Sequence, residues 1–353
     1  MKKWLIRILA SLFTLVLLLF LVGFYLFGTE SGTNFLISQA ENQLDGRLHF
    51  GTTKGKVLDR LELTSITFDS PVGKVEIGRL VLDWKTTDLL RLHLHILEFT
   101  AEDIFYTAVP QSLESEPEKK ESLSLPDLTL PITITIEKLG INNFIFLSAP
   151  DAEPLTVHNA GLALTWNKNG IEIQELEVIM PEASLLAKGQ VNPIDHYPLQ
   201  LITELKTLDP DLPSLQMSGR IEGDLQKLVV TESLNGDISA ELNITIQQVI
   251  NALTWQGDLA LEKLHPATFN PEVPGVIQGT FQTNGNLQQA FLTAVLSMRD
   301  ATAAEVNCDA NLDLQVNLET LLLTVNEFTL KHSNTAAQIA LSGTADGAQH
   351  QDI

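Results

Sequence analysis

Pro131-Ile132-Thr133-Ile134-Thr135-Ile136-Glu137 sets the reading of the whole chain. Isoleucine and threonine alternate through it, and a period of two gives a strand one apolar and one polar face. The pattern recurs in both directions. Upstream, Leu61, Leu63 and Ile66 precede Phe68, and Val75, Ile77, Leu80 and Leu82 lead to Trp84. Downstream come Leu162, Leu164 and Trp166, then Ile171 and Ile173, then Leu312, Leu314 and Val316, then Ile339 and Leu341. Clusters of Asn, Asp, Gly and Pro separate the runs, as at Asn167-Lys168-Asn169-Gly170. Three helical exceptions are predicted. Phe35, Leu36, Ala40 and Leu44 recur at helical spacing within Ser31 to Leu44, with Ser31 or Thr33 as the cap and Gly46 as the stop. Shorter interruptions are predicted at Thr87 to Leu92 and at Gln247 to Leu253.

The runs repeat. Leu205-Lys206-Thr207-Leu208-Asp209-Pro210, followed by a strand from Gly219 to Leu225, echoes Leu261-Glu262-Lys263-Leu264-His265-Pro266, followed by one from Gly279 to Leu287. A longer echo relates the block from Leu162 to Gly189 to the block from Leu312 to Gly343. Such units cannot bury an apolar face alone; stacked edge to edge they build an elongated sheet with one continuous apolar side. A second sheet, the opposite wall of a closed solenoid or a carried molecule would each cover that side, and periodicity does not separate them.

The first residues differ. Lys2, Lys3 and Arg7 precede an apolar run from Ile8 to Phe27. A helix of about 20 residues rises roughly 30 Å, the thickness of a bilayer's hydrocarbon core. With the basic cluster before the run and Glu30 after it, residues 1–7 are placed in the cytoplasm and the body outside. The run ends in bulky Phe24-Tyr25-Leu26-Phe27, unlike the small-residue site of a cleaved signal peptide. Residues 28–110 are expected to form a first helix-and-strand part. Residues 111–124, rich in Glu, Lys, Ser and Pro, are expected to be an acidic solvated loop, and 125–353 a β-repeat groove.

Composition narrows the function. The net charge of −22 argues against nucleic acid as a partner and against a basic patch for anionic surfaces. A single cysteine, Cys308, allows no intrachain disulfide and reads as an idle or buried thiol. There is no G-x-S-x-G, no phosphate-binding glycine loop and no H-E-x-x-H, so an enzyme is not expected. His93 and His95 share a strand face but lack further ligands in the nearby sequence. They read as exposed strand histidines; no metal or cofactor is expected.

Four stretches in order carry a resemblance. They are Gly51-Thr52-Thr53-Lys54-Gly55-Lys56-Val57-Leu58-Asp59-Arg60-Leu61-Glu62-Leu63, Leu80-Val81-Leu82-Asp83-Trp84 leading into Leu89-Leu90-Arg91-Leu92, Leu125-Pro126 through Pro131-Ile132-Thr133-Ile134, and Pro274-Gly275 leading into Gly279. With the apolar first segment, the chain resembles the N-terminal part of the TamB family, within the AsmA-like group of bridge-like lipid-transfer proteins. The resemblance implies a mainly β, elongated β-taco: an open U-shaped repeat sheet with a hydrophobic groove, one N-terminal transmembrane helix and a few short helices. It implies an inner-membrane anchor, a periplasmic body and an Omp85-type outer-membrane barrel, TamA, as partner. Family members are longer and dock to the barrel through a C-terminal region, so a chain ending at Gln349-His350-Gln351-Asp352-Ile353 is expected to be a truncated piece.

Three functions are then expected in turn. The first is shielding of phospholipid acyl chains in the groove during transport between inner and outer membranes, with Ile132, Ile134, Ile136, Leu162, Leu164, Trp166, Leu312, Leu314 and Val316 as lining residues. The second is assembly of outer-membrane proteins and autotransporters with the barrel. The third is a structural tether with a closed, packed core.

Overall fold

The computed structural model describes residues 14, 17–18, 21–44, 46–108, 125–149, 152–300 and 307–346. It is mainly β. Residues 21–28 are helical, and after Thr29 comes helix α1 (Glu30–Gln43). Thr29, not Ser31 or Thr33, caps it: its backbone is extended and its Oγ1 accepts from the Gly32 N–H at 3.0 Å. The two helical stretches meet so tightly that a Cβ on Gly32 would collide with the Tyr25 carbonyl oxygen, which leaves glycine as the residue that fits. Most of the predicted membrane run, Ile8 to Phe27, and the acidic loop at 111–124 lie outside the described residues. Among the described residues no helix is long and apolar enough to cross a membrane.

Two compact units follow. Unit 1 comprises residues 1–117, 130–168 and 174–181. In it β1 (Leu48–His49) and β2 (Thr52–Gly55) both pair with β3 (Arg60–Ser70), which pairs with β4 (Gly73–Trp84). A 3₁₀ helix (Thr86–Arg91) fulfils the predicted interruption and leads to β5 (His93–Ala108). β5 runs parallel to β6 (Thr133–Leu147), and β6 antiparallel to β7 (Leu155–Asn167). Ile132 falls one residue short of β6.

Alternation slips in these strands at one transverse line, and the slip has a backbone cause. Ser65, Asp103 and Asn143 adopt left-handed φ of 50°, 56° and 56°. A Cβ on Gly78, in β4, would stand 2.9 Å from the Asp103 Cβ, and Asn143 Nδ2 donates to Asp103 Oδ1 at 2.8 Å. Each strand spends one residue at that line, so apolar positions jump by three there, as from Leu63 to Ile66 and from Ile141 to Phe144. The ladder still matches like with like. Leu63, Leu80, Ala101, Ile141 and Ala160 form one row, and Ile66, Ile77, Ile104, Phe144 and Val157 the next. α1 covers the β3–β4 end: Ile37 packs with Leu48, Phe50 and Val57 around buried Leu61, Leu63 and Ile66.

Unit 2 comprises residues 118–129, 169–173 and 182–353. β8 (Gly170–Ile179) has residues in each unit. β9 (Ala183–Val191), β10 (Leu199–Thr207), β11 (Leu215–Gly223), β12 (Lys227–Gly236) and β13 (Ile238–Gln247) pair antiparallel in sequence order. β14 (Thr254–Leu264), β15 (Val276–Asn286), β16 (Gln289–Arg299), β17 (Cys308–Asn317), β18 (Leu322–His332) and β19 (Gln338–Asp346) continue the meander. The short sequence echo falls on β10–β11 and β14–β15; the long one falls on β7 to β9 and β17 to β19. Helix at Gln247 to Leu253 does not form. Gln247 closes β13 and Gln248 turns left-handed with φ 49°; the Asn251 and Ala252 N–H groups both donate to the Gln248 carbonyl, so the segment makes a single turn and goes no further.

Candidate functional site

The registers make the apolar face of unit 2 continuous. Leu185, Leu205, Met217, Leu234, Ala240, Leu261, Gly279, Leu296, Ala310, Leu330 and Ile339 stand opposite one another in turn across eleven strands. The neighbouring row runs Leu242, Leu259, Phe281, Ala294, Leu312, Phe328 and Leu341. The row beyond the second one points the other way and is polar, with Asn243, Asp258, Gln282, Thr293, Asp313 and Glu327 in register, while the row between the two apolar ones is mixed, with Glu241, Thr280 and Asn311 beside Ala260 and Val295.

Burial on this face is incomplete. Ala294 is 2% exposed and Ala240 3% on inner strands, while Leu341 is 60% exposed and Ile339 54% on the last strand, β19. In a sandwich the opposing sheet buries the large side chains first. Here the large side chains on the inner strands stay half-buried, apart from buried Leu261. A hollow of about 330 Å³ on this surface has Leu312, Val325, Phe328 and Leu341 in its lining.

The nine sequence-predicted residues divide between the units. In unit 1, Ile134 stands opposite Trp166 and Ile136 opposite Leu164, while Leu162 faces Leu139. In unit 2, Leu312, Leu314 and Val316 face Ala294, Leu292 and Ala290. All nine are half-buried. The Trp166 Nε1 is enclosed without a hydrogen-bond partner. The sequence reading missed Leu139 and Ile141, which follow a register slip after Ile136, and Phe144 and Phe146, which continue the same face of β6 past the left-handed Asn143. An Asn-Asn pair inside a three-residue apolar step was the available signal.

One acid breaks the apolar rows. Glu232 stands between Gly219 and Leu242 and is 9% exposed. It accepts from Thr203 Oγ1 at 2.6 Å, and a Cβ on Gly219 would come within 2.6 Å of its Oε2. The glycine makes room for the carboxylate and the threonine satisfies it.

The opposite face of unit 1 is an ionic ladder. Arg60 Nη1 meets Asp83 at 3.0 Å and its Nη2 meets Glu98 at 3.1 Å, while Lys138 reaches Glu98 at 3.3 Å. Arg79 bridges Glu62 at 3.1 Å and Glu102 at 3.3 Å. The Arg79 hydrogen bond holds Glu62 below the usual carboxylate range, and Glu62 in return raises Arg79. Burial pushes Glu98 up, but the Lys138 hydrogen bond with the Lys138 and Arg60 charges outweighs it, and Glu98 is lowered. In unit 2 Arg299 likewise lowers Asp309.

His93 and His95 are not the exposed histidines that their spacing suggested. Both are half-buried, with rings stacked at 5.1 Å. His95 Nδ1 lies 3.1 Å from Asp88 Oδ2 and its Nε2 lies 2.7 Å from Glu137 Oε1; His93 Nε2 lies 2.9 Å from Thr135 Oγ1. The carboxylates come from the 3₁₀ helix and from β6, which sequence spacing did not disclose. Asp88, His93 and His95 offer ligand atoms within 4.8 Å of one another. As they stand, these groups form an interlocked hydrogen-bonded set at the start of β5. Cys308 is half-buried, between Met298 and His332.

A family model described as TamB, N-terminal domain, matches residues 17–146 and again residues 119–250, so that the two matches span well over half of the chain. No curated protein and no solved structure matches it. The family match over more than half of the chain shows that it belongs to the TamB N-terminal domain family.

Proposed function

We propose that this chain is an inner-membrane-anchored, periplasmic bridge protein whose apolar sheet face shields phospholipid acyl chains on their way between the inner and outer membranes. Ile8 to Phe27 is the anchor in this reading, and the face forms the groove of an open β-taco. The observation that carries it is the incomplete burial of a continuous apolar face: its large side chains are mostly half-buried, and Ile339 and Leu341 on the last strand are exposed. An acyl chain in water forgoes about 0.8 kcal/mol of favourable burial per CH₂, so a chain of sixteen carbons forgoes roughly 12 kcal/mol. A dry aliphatic face removes that cost without chemistry, which is why no catalytic group is invoked. Within a translocation and assembly module the outer-membrane end would belong to an Omp85-type barrel, TamA, engaged by a region other than the residues described here.

The test is a charge placed on each face: Leu164→Glu together with Leu314→Glu. Phospholipid movement to the outer membrane is expected to fail while the circular dichroism spectrum and expression stay as in the parent. Normal phospholipid movement in the double variant would overturn the reading. Loss of outer-membrane protein assembly alone, with lipid movement intact, would favour a chaperone for exported barrels that binds its clients by strand addition.

A further inference from the structure

The 3₁₀ helix Thr86–Arg91 presents a hydrophobic tip. Leu90 is 91% exposed, and Leu89 and Leu92 beside it are also exposed. Leu92 holds φ of 55°, a conformation that glycine adopts without cost and leucine does not. Isolated exposed leucines are ordinary; three within four residues on a strained turn are not. Among the described residues neither exposed Lys85 nor exposed Arg91 forms an ion pair. The acid of the turn, Asp88, is drawn back to His95 instead, which holds its carboxyl below the ordinary range.

Position gives the tip a partner. The loop at 56–59 receives the end of the first helical stretch, where the Leu58 N–H donates to the Phe27 carbonyl at 2.9 Å. The same loop receives the strand that leads into the tip: Trp84 Nε1 donates to the Val57 carbonyl at 2.6 Å and Thr86 Oγ1 to the Leu58 carbonyl at 3.0 Å. On the other side, the Thr133 N–H donates to the Leu92 carbonyl at 3.0 Å, at the row of Leu94, Ile134 and Trp166 that ends the apolar face of β5 to β7.

We infer that Leu89, Leu90 and Leu92 insert into the outer leaflet of the membrane that holds the anchor, with Lys85 and Arg91 at the phosphate level, and so join the end row of the apolar face to the bilayer. Apolar side chains buried shallowly between flanking cations are the composition of an interfacial contact. The chain's overall negative charge does not oppose this, because charges beyond about 10 Å are screened at moderate salt. This inference rests on the anchor reading, and its test separates the two.

Full-length protein carrying Cys308→Ser and Leu90→Cys, labelled with an environment-sensitive dye, is reconstituted in phosphatidylethanolamine–phosphatidylglycerol vesicles. A blue-shifted emission and roughly twofold or greater quenching by shallow spin-labelled lipid are expected. The same dye at Asn251, exposed in unit 2, should stay unquenched. Emission at Leu90 that matches water and ignores the quencher overturns the inference, whatever the anchor does. Extraction of the same vesicles with alkaline carbonate tests the anchor alone: release of the protein overturns that reading, and retention with an unquenched dye overturns only the tip. In the dye-labelled protein, Leu89→Asp with Leu92→Asp should abolish the quenching and leave the carbonate result unchanged.

Discussion

Two stretches of similar strand ladder differ in what lies over them. In unit 1, α1 covers one end of the apolar rows, and the residues beneath it, Leu61, Leu63 and Ile66, are buried together as a small core. In unit 2, no α-helix is found among the described residues, and apart from Leu261 the buried apolar members of the rows through Ala240 and Ala294 are alanines. The same alternation therefore yields a core where a second layer exists and a half-open surface where it does not. A leucine's burial follows from what stands above it, which local sequence does not state.

That contrast can be broken most directly by truncation. Leu63→Ala should cost about 2–4 kcal/mol, because it opens a cavity under α1. Leu314→Ala should cost about 1 kcal/mol, because its outer surface is already partly in water. Chemical denaturation of each variant measures both, and equal losses would mean that the unit 2 face is covered after all.

Glycine positions sharpen the same point. At Gly219 a Cβ meets the Glu232 carboxylate and the adjoining strand, so Gly219→Ala should destabilise by about 2 kcal/mol. At Gly343 nothing lies within 4 Å, so Gly343→Ala should stay within about 0.5 kcal/mol of the parent. A similar penalty at both sites in thermal melting would contradict the close approach at Gly219. Loss of the α1 cap by Thr29→Ala should cost about 1 kcal/mol and act on unit 1 alone, read as faster amide exchange in α1.

The smallest effect is electrostatic. Folding holds Glu62 and Glu98 below their ordinary value of 4.5, so near that pH the unfolded chain binds more protons than the folded one. The stability these groups add is present above that value and disappears as pH falls through their lowered folded values. Melting temperature should drop modestly below pH 4.5, and Arg79→Met should flatten that part of the profile. An unchanged profile in Arg79→Met would remove the ladder as its source.

Much of the strand content was legible in the sequence, because alternation reports directly on a two-faced strand. Ile134, Ile136, Leu164 and Trp166 were found for that reason. Phe144 and Phe146 were not, because the left-handed Asn143 shifts their phase. Glu232 was passed over as one of many carboxylates: its burial depends on Gly219 and Thr203, which come from other strands. The Asp88 and Glu137 partners of His95 were hidden in the same way, since they lie seven residues before it and forty-two after it. Gln247 to Leu253 failed as a helix because Gln248 takes a left-handed φ of 49° and the segment closes as a single turn, which helical spacing cannot show.

Photo-crosslinking of the intact protein in cells tests the central claim most directly. A photoreactive residue at Leu314, on the apolar face, is compared with one at Asn311, exposed on the polar face. Mass spectrometry of the adducts should find phospholipid at Leu314 and none at Asn311. Equal phospholipid at both positions, or none at Leu314, would contradict an apolar face that holds acyl chains.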